Sequence, residues 1–206
     1  MNFLCTSDLH GIVPVQMKHI VTERSVDAIL YAGDFTPHGW GGEGNSTEEP
    51  LEFISNLGVP VYSVFGNIDP DKEYFIDAER KLKNFNFIHL KRVRIDDWYI
   101  VGLGDFYMDS YALRKFEDLL KKDPEKTIIL SHYPPEGVVD MTDFGSHVGS
   151  REIREIVEKY EPPVMICGHI HEAAGVGKIG KTKVANVAMK NVIIEIKSGK
   201  PNISLA

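Results

Sequence analysis

The chain has 206 residues, of which 43% are hydrophobic and 26% are charged, and its formal net charge is -7. This composition is that of an ordinary folded protein, so it excludes a disordered polymer, a collagen-like fibre and a polytopic membrane protein. The acidic balance argues against a protein that binds polyanions such as nucleic acid through bulk positive charge.

The location of the protein is predicted from what the sequence lacks. No apolar run approaches the roughly 18–20 residues that cross a bilayer, and no export signal is visible at the N-terminus, so we expect no membrane partner. The only cysteines, Cys5 and Cys167, lie inside short apolar runs and are not paired in a Cys-x-x-Cys motif. They are typical of buried thiols in a reducing compartment, which indicates a cytoplasmic protein.

Short apolar runs alternate with helical patterns along the chain. Six runs are predicted as strands, at residues 2–6, 28–32, 59–64, 98–103, 127–130 and 164–167. Helical periodicity is strong over residues 111–122 and 151–160 and weaker over residues 13–24 and 50–57. Residues 86–90, residues 93–95 and the run after residue 97 are predicted as consecutive antiparallel strands, and residues 183–187 and 192–196 as an antiparallel pair. So many strands predict two packed sheets in a mixed α/β domain.

Metal-binding residue types follow five of the predicted strands. In chain order they are Asp8, His10, Asp34, Asn67, His132, His169 and His171. Because ligand sites in α/β folds gather at the carboxyl ends of strands, we expect the five loops to meet at one edge. Imidazole, carboxylate and amide donors suit divalent ions such as Mn²⁺, Fe²⁺, Zn²⁺, Ni²⁺ or Co²⁺. Seven ligands exceed the set of one tetrahedral ion and fit a dinuclear centre with a bridging carboxylate.

The motifs that contain these residues resemble those of the calcineurin-like metallophosphoesterase superfamily. They are Asp8-x-His10, Gly33-Asp34, Gly66-Asn67, Ser131-His132 and Gly168-His169-x-His171, in the family's order. The short chain is most similar to the small phosphodiesterase branch of prokaryotes and archaea. The resemblance implies one domain over residues 1–206. Its fold would be a four-layer αββα sandwich of two mixed β-sheets flanked by helices, with a dinuclear metal site at the loops that follow the strands.

The resemblance also implies how the ions are bound. The first ion would take Asp8, His10, Asp34 and His171, and the second would take Asp34, Asn67, His132 and His169, so that Asp34 bridges the two. Mn²⁺ is the first expectation for both positions, with Fe²⁺, Ni²⁺, Zn²⁺ and Co²⁺ as alternatives.

The function that follows is a metal-dependent hydrolysis of a small phosphate ester, with a phosphodiester as the first expectation. A hydroxide that bridges the ions would attack phosphorus in line, while Asn67 and His132 act as catalytic residues that stabilise the developing charge. Many members of the family have a histidine after the Gly-Asn pair that helps protonate the leaving oxygen, whereas this chain has Ile68. The leaving oxygen would then depart with help from metal or solvent, which disfavours unactivated alkyl monoesters.

Two alternatives remain open from the sequence. The same centre could serve a phosphomonoesterase or nucleotide phosphatase. The family also includes a retromer coat subunit that works as a protein-interaction scaffold after losing its site, although this chain keeps all four histidines and both aspartates of the motifs. The oligomeric state stays open, and a homo-oligomer is compatible with the sequence.

Several polar residues near the motifs are predicted to play other roles. Asp69 before Pro70 has the signature of an N-cap for a helix that runs to Arg80. His38 and His147 are predicted as solvated loop histidines with substrate contact as the alternative, and His19 and His89 as structural residues. Residues 39–47 are predicted as a flexible loop that could act as a lid, and substrate specificity is expected from residues 36–47 and 134–149.

Overall fold

The computed structural model describes residues 1–37, 46–105 and 109–206. Within these ranges, strands and helices alternate along most of the chain. The first six strands are β1 (Asn2–Thr6), β2 (Ala28–Tyr31), β3 (Val61–Ser63), β4 (Phe85–Phe87), β5 (Arg92–Ile95) and β6 (Trp98–Leu103). The others are β7 (Thr127–Ser131), β8 (Val164–Cys167), β9 (Gly175–Ile179), β10 (Thr182–Asn186), β11 (Val192–Lys197) and β12 (Lys200–Leu205).

In the part of the chain that the structure describes, five α-helices connect the strands. They are α1 (Met17–Glu23), α2 (Glu48–Ser55), α3 (Lys72–Lys81), α4 (Ser110–Leu120) and α5 (Arg151–Tyr160), with short 3₁₀ helices at Pro124–Lys126 and His171–Ala173. The predicted helix over residues 151–160 is confirmed at both ends, because Ser150 accepts a hydrogen bond from the Ile153 amide and Pro162 follows. Among the described residues, no helix combines the length and the apolar character that a bilayer crossing requires.

The strands form two mixed sheets of six strands each. Sheet 1 has the order β12-β11-β1-β2-β3-β4, in which β1 to β4 are parallel and β11 is antiparallel to both of its neighbours, β1 and β12. Sheet 2 has the order β5-β6-β7-β8-β10-β9, in which β6, β7, β8 and β10 are parallel and the two edge strands are antiparallel. The parallel strands of each sheet therefore direct their carboxyl ends to one edge.

Three buried apolar clusters establish the four layers. Phe3 and Leu30 of sheet 1 share the cluster between the sheets with Ile100 and Leu130 of sheet 2. Leu4, on the opposite face of β1, joins a cluster of sheet 1 with α1, α2 and α3, and a third cluster joins sheet 2 to α4 and α5. Burial on both faces explains why the strands read as continuous apolar runs. The αββα sandwich is thus confirmed, while one domain over residues 1–206 stays a prediction.

Two predicted strand pairings are wrong. β4 pairs in parallel with β3 in sheet 1, whereas β5 pairs with β6 in sheet 2. β10 and β11 also lie in different sheets. In both places, strands that are neighbours in sequence are separated by a crossing between the layers, which local patterns do not reveal. β9 and β12 were not predicted, because each is largely exposed and has little apolar patterning.

The crossing after β4 depends on close backbone approach. The Ile88 amide donates to Ser63 of sheet 1, and two residues later the Leu90 amide donates to Gly102 of sheet 2. A Cβ at Gly102 would overlap the carbonyl oxygen of Ile88, so a glycine is required there.

Phe75 lies at the centre of the apolar cluster beneath sheet 1. Its ring is fully buried, and its centroid is 6.0 Å from that of Phe35 and 5.4 Å from that of Phe87. We expect Phe75→Ala to lower the free energy of unfolding by about 3–5 kcal/mol, because the substitution removes buried apolar surface and leaves a cavity among the neighbouring rings. Tyr111→Ala, at a side chain that is 59% exposed, should change it by less than about 0.5 kcal/mol. Equal losses in urea titrations of the two variants would contradict this packing.

His89 lies on the same crossing and predicts a loss of stability in acid. Its Nδ1 accepts from the Gly104 amide, and burial, with a smaller effect of Lys72, lowers its pKa to about 4. Between about pH 6.5 and 4 the unfolded chain therefore binds more protons than the folded one, so stability falls as the pH falls. We expect wild type to lose on the order of 1–2 kcal/mol more than His89→Gln between pH 7 and 5. Parallel pH profiles in urea unfolding would contradict a buried neutral His89.

Candidate metal centre

The seven residues singled out in the sequence lie at the carboxyl ends of five parallel strands. Sheet 1 supplies four of them, on the loops after β1, β2 and β3, and sheet 2 supplies three, on the loops after β7 and β8. The expectation that these loops meet at one edge is confirmed by the side-chain contacts between them.

The first group consists of Asp8, His10 and His171. The two Nε2 atoms of His10 and His171 are 3.1 Å apart, and Oδ1 of Asp8 is 3.3 Å from His171 Nε2 and 3.9 Å from His10 Nε2. The Asp8 side chain is fully buried. One carboxylate and two imidazole nitrogens therefore converge on a point, as the donors of a divalent ion do.

The second group consists of Asp34, His132 and His169. Nε2 of His132 is 3.5 Å from Oδ2 of Asp34, and the ring centroids of His132 and His169 are 5.0 Å apart. The ligand atoms in each group lie within 4.8 Å of one another. Asn67 joins this second group, because its Oδ1 is 2.8 Å from His132 Nε2. The donor set of each group fits a divalent cation.

The two groups interact through their charges. Burial raises the pKa of Asp34 to about 6, and the charges of Asp69 and Asp8 add to the rise, while His132 opposes it. Burial also opposes the ionisation of Asp8, yet hydrogen bonds from His171 and Ser7 and the charge of His132 lower its pKa overall. A buried anion whose neighbours are also anions is stabilised by a bound cation.

The histidines are arranged as neutral donors and as partners of carboxylates. Burial lowers the pKa of His169 to about 4, so its imidazole is neutral at pH 7, the form that binds metals. The hydrogen bond to Asp8 raises the pKa of His171. Backbone carbonyls fix two other rings, because Nδ1 of His10 lies 3.1 Å from the Thr36 oxygen and Nδ1 of His132 lies 2.8 Å from the Ala32 oxygen. In both rings this leaves Nε2 facing the centre.

The backbone of the site is strained in the way functional loops often are. Asp8, His10, Asp34 and His169 adopt left-handed conformations, with φ angles of 57°, 47°, 63° and 72°. Such conformations cost on the order of 1–3 kcal/mol each in residues other than glycine, and they persist where surrounding contacts fix them. Four of the seven residues therefore hold their side chains at an energetic cost that the rest of the loops offsets.

Two glycines let the loops approach each other closely. A Cβ at Gly66 would overlap the carboxylate of Asp34, and a Cβ at Gly168 would overlap Ser7 Oγ and the carboxylate of Asp8. Alanine at either position would displace a candidate ligand.

Asp69 joins two of the loops, and the prediction that it caps a helix is wrong. Its carboxylate accepts hydrogen bonds from the amides of Asp34, Thr36 and Gly66 and from the Thr36 hydroxyl, at 2.8–3.0 Å. The helix begins later, and Asp71 is its N-cap, accepting from the Tyr74 amide. The signature was misleading because two aspartates flank Pro70, and local sequence does not distinguish them.

Sequence reasoning missed two other supports of the site. The Tyr31 hydroxyl accepts from the Leu9 amide and donates to the Asp34 carbonyl, which links the loops after β1 and β2. The Ser7 hydroxyl donates to Asp8. Tyr31 reads as an apolar strand residue, so no sequence signal marked it, whereas Ser7 directly precedes a motif residue.

The remaining histidines fall outside these groups. His38 and residues 39–45 of the predicted lid lie outside the described residues. His147 is not simply solvated, because Nδ1 is 2.6 Å from Oδ1 of the buried Asp140. His89 packs against Phe65, with centroids 4.9 Å apart, in agreement with a structural role.

Asp69 and Asp71 provide a matched test of the loop connection. We expect Asp69→Asn to weaken Mn²⁺ binding by roughly 10–100-fold, because the loops that position Asp34 lose their common acceptor. Asp71→Asn should leave Mn²⁺ binding unchanged, since that residue caps α3. Calorimetric titration of the metal-free proteins measures both affinities. Equal affinities for Asp69→Asn and Asp71→Asn would show that the connection does not support the centre.

Known proteins resemble this chain in sequence and in fold. An uncharacterized protein of Methanocaldococcus jannaschii is 27% identical over 94% of this chain and 91% of its own length. A probable cyclic nucleotide phosphodiesterase of Colwellia psychrerythraea is 24% identical over 74% of this chain and 58% of its own. The crystal structure of the protein TT1561 of Thermus thermophilus matches with a TM-score of 0.71 at 15% identity, covering 99% of this chain and 98% of that one.

The family assignment follows from the model of the family itself. The model for calcineurin-like phosphoesterases matches residues 1–173, which include all seven residues at the strand ends. The chain therefore belongs to the calcineurin-like phosphoesterase family and is a metal-binding phosphoester hydrolase.

Proposed function

We propose that the protein hydrolyses phosphodiesters at two divalent metal ions. The observation that carries the proposal is the pair of three-residue ligand groups at the common edge of the two sheets. Such ions supply Lewis-acid activation of the phosphate and of the attacking water. Mn²⁺ is the first candidate for both positions, ahead of Fe²⁺, Ni²⁺, Zn²⁺ and Co²⁺.

Asp34 is the proposed bridging ligand. It lies within the second group, and its charge also raises the pKa of His171 in the first. Asp8, His10 and His171 complete the first position, and Asn67, His132 and His169 complete the second. The Ile68 amide donates to Oδ1 of Asp34 at 3.2 Å, which restrains the orientation of the carboxylate.

Asn67 and His132 are the proposed catalytic residues. The Asn67 side chain is exposed at the mouth of the site, while His132 is fully buried behind it, and the two are joined by their 2.8 Å contact. From this position the amide group can donate to a phosphate oxygen as charge develops there. His132 keeps the amide in place and contributes its imidazole to the second ligand group.

A phosphodiester is preferred to a monoester on the evidence of the loop after β3. Ile68 stands where many family members have the histidine that helps protonate the leaving oxygen of alkyl monoesters, so the loop after β3 lacks that donor. The name of the Colwellia relative, a probable cyclic nucleotide phosphodiesterase, supports the same choice. Turnover of aryl phosphomonoesters above that of aryl diesters would favour the phosphomonoesterase alternative.

The proposed cellular location rests on the two cysteines. Both cysteines are free and buried, which agrees with a cytoplasmic protein in a reducing compartment. The proposed partner is a small phosphate-ester substrate.

The central test is hydrolysis of bis(p-nitrophenyl) phosphate by Mn²⁺-loaded protein. We expect Asp34→Asn and His132→Ala to lower kcat/KM by roughly 10²–10³-fold, because each removes a proposed ligand of the ions that stabilise the transition-state charge. Asp118→Asn on α4 and His19→Ala on α1, both exposed, should retain wild-type rates. Chelation should abolish turnover, and Mn²⁺ should restore it. Equal rates in wild type and in the two site variants would refute the proposal.

A further inference from the structure

Residues 134–149, here called the rim hairpin, border the metal centre on the side of His169 and His171. The hairpin begins two residues after His132. The side-chain amide of Asn186 donates both to the Val139 carbonyl at 3.0 Å and to the Ile170 carbonyl at 2.8 Å. Nearer the tip, the Asp143 amide donates to the carboxylate of Glu172 at 3.3 Å. Hydrogen bonds thus hold the hairpin beside the loop that carries His169 and His171, both at the base of the hairpin and near its tip.

The hairpin carries a histidine–aspartate pair that lies outside the two ligand groups. Asp140 is fully buried, and its Oδ1 is 2.6 Å from Nδ1 of His147. Its other oxygen accepts from the amides of Gly137 and Gly149, both at 2.9 Å. Hydrogen bonding to His147 and to both amides lowers the pKa of Asp140 against the opposing effect of burial, so the carboxylate is ionised.

The pair leaves one imidazole nitrogen available. An ionised Asp140 requires the proton on Nδ1 of His147, which fixes the ring orientation and the tautomer. The His147 side chain is 42% exposed, and Nε2 has no hydrogen-bond partner in the part of the chain that the structure describes. If the pair only stabilised the hairpin, Asp140 would need a single hydrogen-bond donor from this position. A side-chain amide would then serve as well as an imidazole. Histidine adds a second nitrogen that can carry a proton outward.

We propose that His147 is the general acid of the reaction and that Asp140 is its positioning residue. This inference rests on the phosphodiester hydrolysis proposed above. The attacking water loses one proton to solvent and its oxygen forms a bond to phosphorus, while the bond between phosphorus and the leaving oxygen breaks with its electron pair on that oxygen. The oxygen takes the proton from Nε2 of the His147 imidazolium, whose Nδ1 donates to Asp140. The neutral imidazole then regains a proton from solvent, so His147 performs the step that Ile68 cannot.

A comparison of leaving groups separates this role from a structural one. The probes are methyl 4-nitrophenyl phosphate, whose leaving group needs no proton, and methyl phenyl phosphate, whose more basic leaving group does. We expect His147→Gln, whose amide can still donate to Asp140, to slow the phenyl ester by roughly 10²-fold or more. The nitrophenyl ester should change by less than about 3-fold, because general acid catalysis contributes little to it.

A control outside the hairpin makes the outcomes distinct. Leu205→Ala, at an exposed side chain on β12, should leave both rates unchanged. An equal loss on the two esters in His147→Gln, or no loss on either, would overturn the assignment of the acid while leaving the hydrolase intact. Failure of Mn²⁺-loaded wild type to cleave the nitrophenyl ester would instead refute the proposed function.

A readout without turnover tests the positioning residue. In ¹⁵N-edited NMR of the metal-free protein, Nδ1 of His147 should carry a slowly exchanging, downfield-shifted proton. Asp140→Asn should remove that signal and should slow the phenyl ester selectively. A wild-type spectrum with the His147 proton on Nε2 alone would contradict the pair.

Discussion

Asp8 and Asp34 are buried carboxylates at the ends of neighbouring parallel strands, and the rest of the site is organised around the cost of burying them. An isolated anion in a protein interior is strongly destabilised unless hydrogen-bond donors or positive charge compensate it. Ser7 and His171 donate to Asp8, and the Ile68 amide donates to Asp34. These bonds are insufficient for Asp34, whose pKa is still raised to about 6 by burial and by neighbouring anions. A divalent cation bound there would supply the missing compensation.

The two-sheet architecture is what brings the histidines to these carboxylates. Asp8 and Asp34 belong to sheet 1, whereas His132 and His169 follow β7 and β8 of sheet 2. The apolar cluster between the sheets fixes the distance between these two sets of loops. The packing of the sheets therefore sets how far apart the candidate ligands lie. The Asp69 carboxylate and the Tyr31 hydroxyl then connect loops within sheet 1. The strain of four left-handed residues is tolerated because these contacts hold the backbone.

Much of this arrangement could be predicted from the sequence, because its signals are local. Each candidate ligand lies within a few residues of the end of a buried apolar strand, and the carboxyl ends of parallel strands in one sheet share an edge, so the placement of Asp8 beside Asp34 needs no knowledge of the loops. The pairings of β4 and β10 could not be predicted, since a crossing between sheets depends on long-range contacts such as that of Gly102 with Ile88. The supporting residues were missed for the same reason. Asp69 and Asp140 act through bonds to backbone amides that only the folded loops bring together.

The central claim is that one chain holds two divalent ions that share Asp34. The most direct measurement is the Mn²⁺ stoichiometry and the Mn–Mn coupling seen by electron paramagnetic resonance of the loaded protein. The account predicts two Mn²⁺ per chain in wild type, with the magnetic coupling of a carboxylate-bridged pair, and loss of that coupling in Asp34→Ala. One uncoupled Mn²⁺ per chain, or coupling that persists in Asp34→Ala, would contradict it.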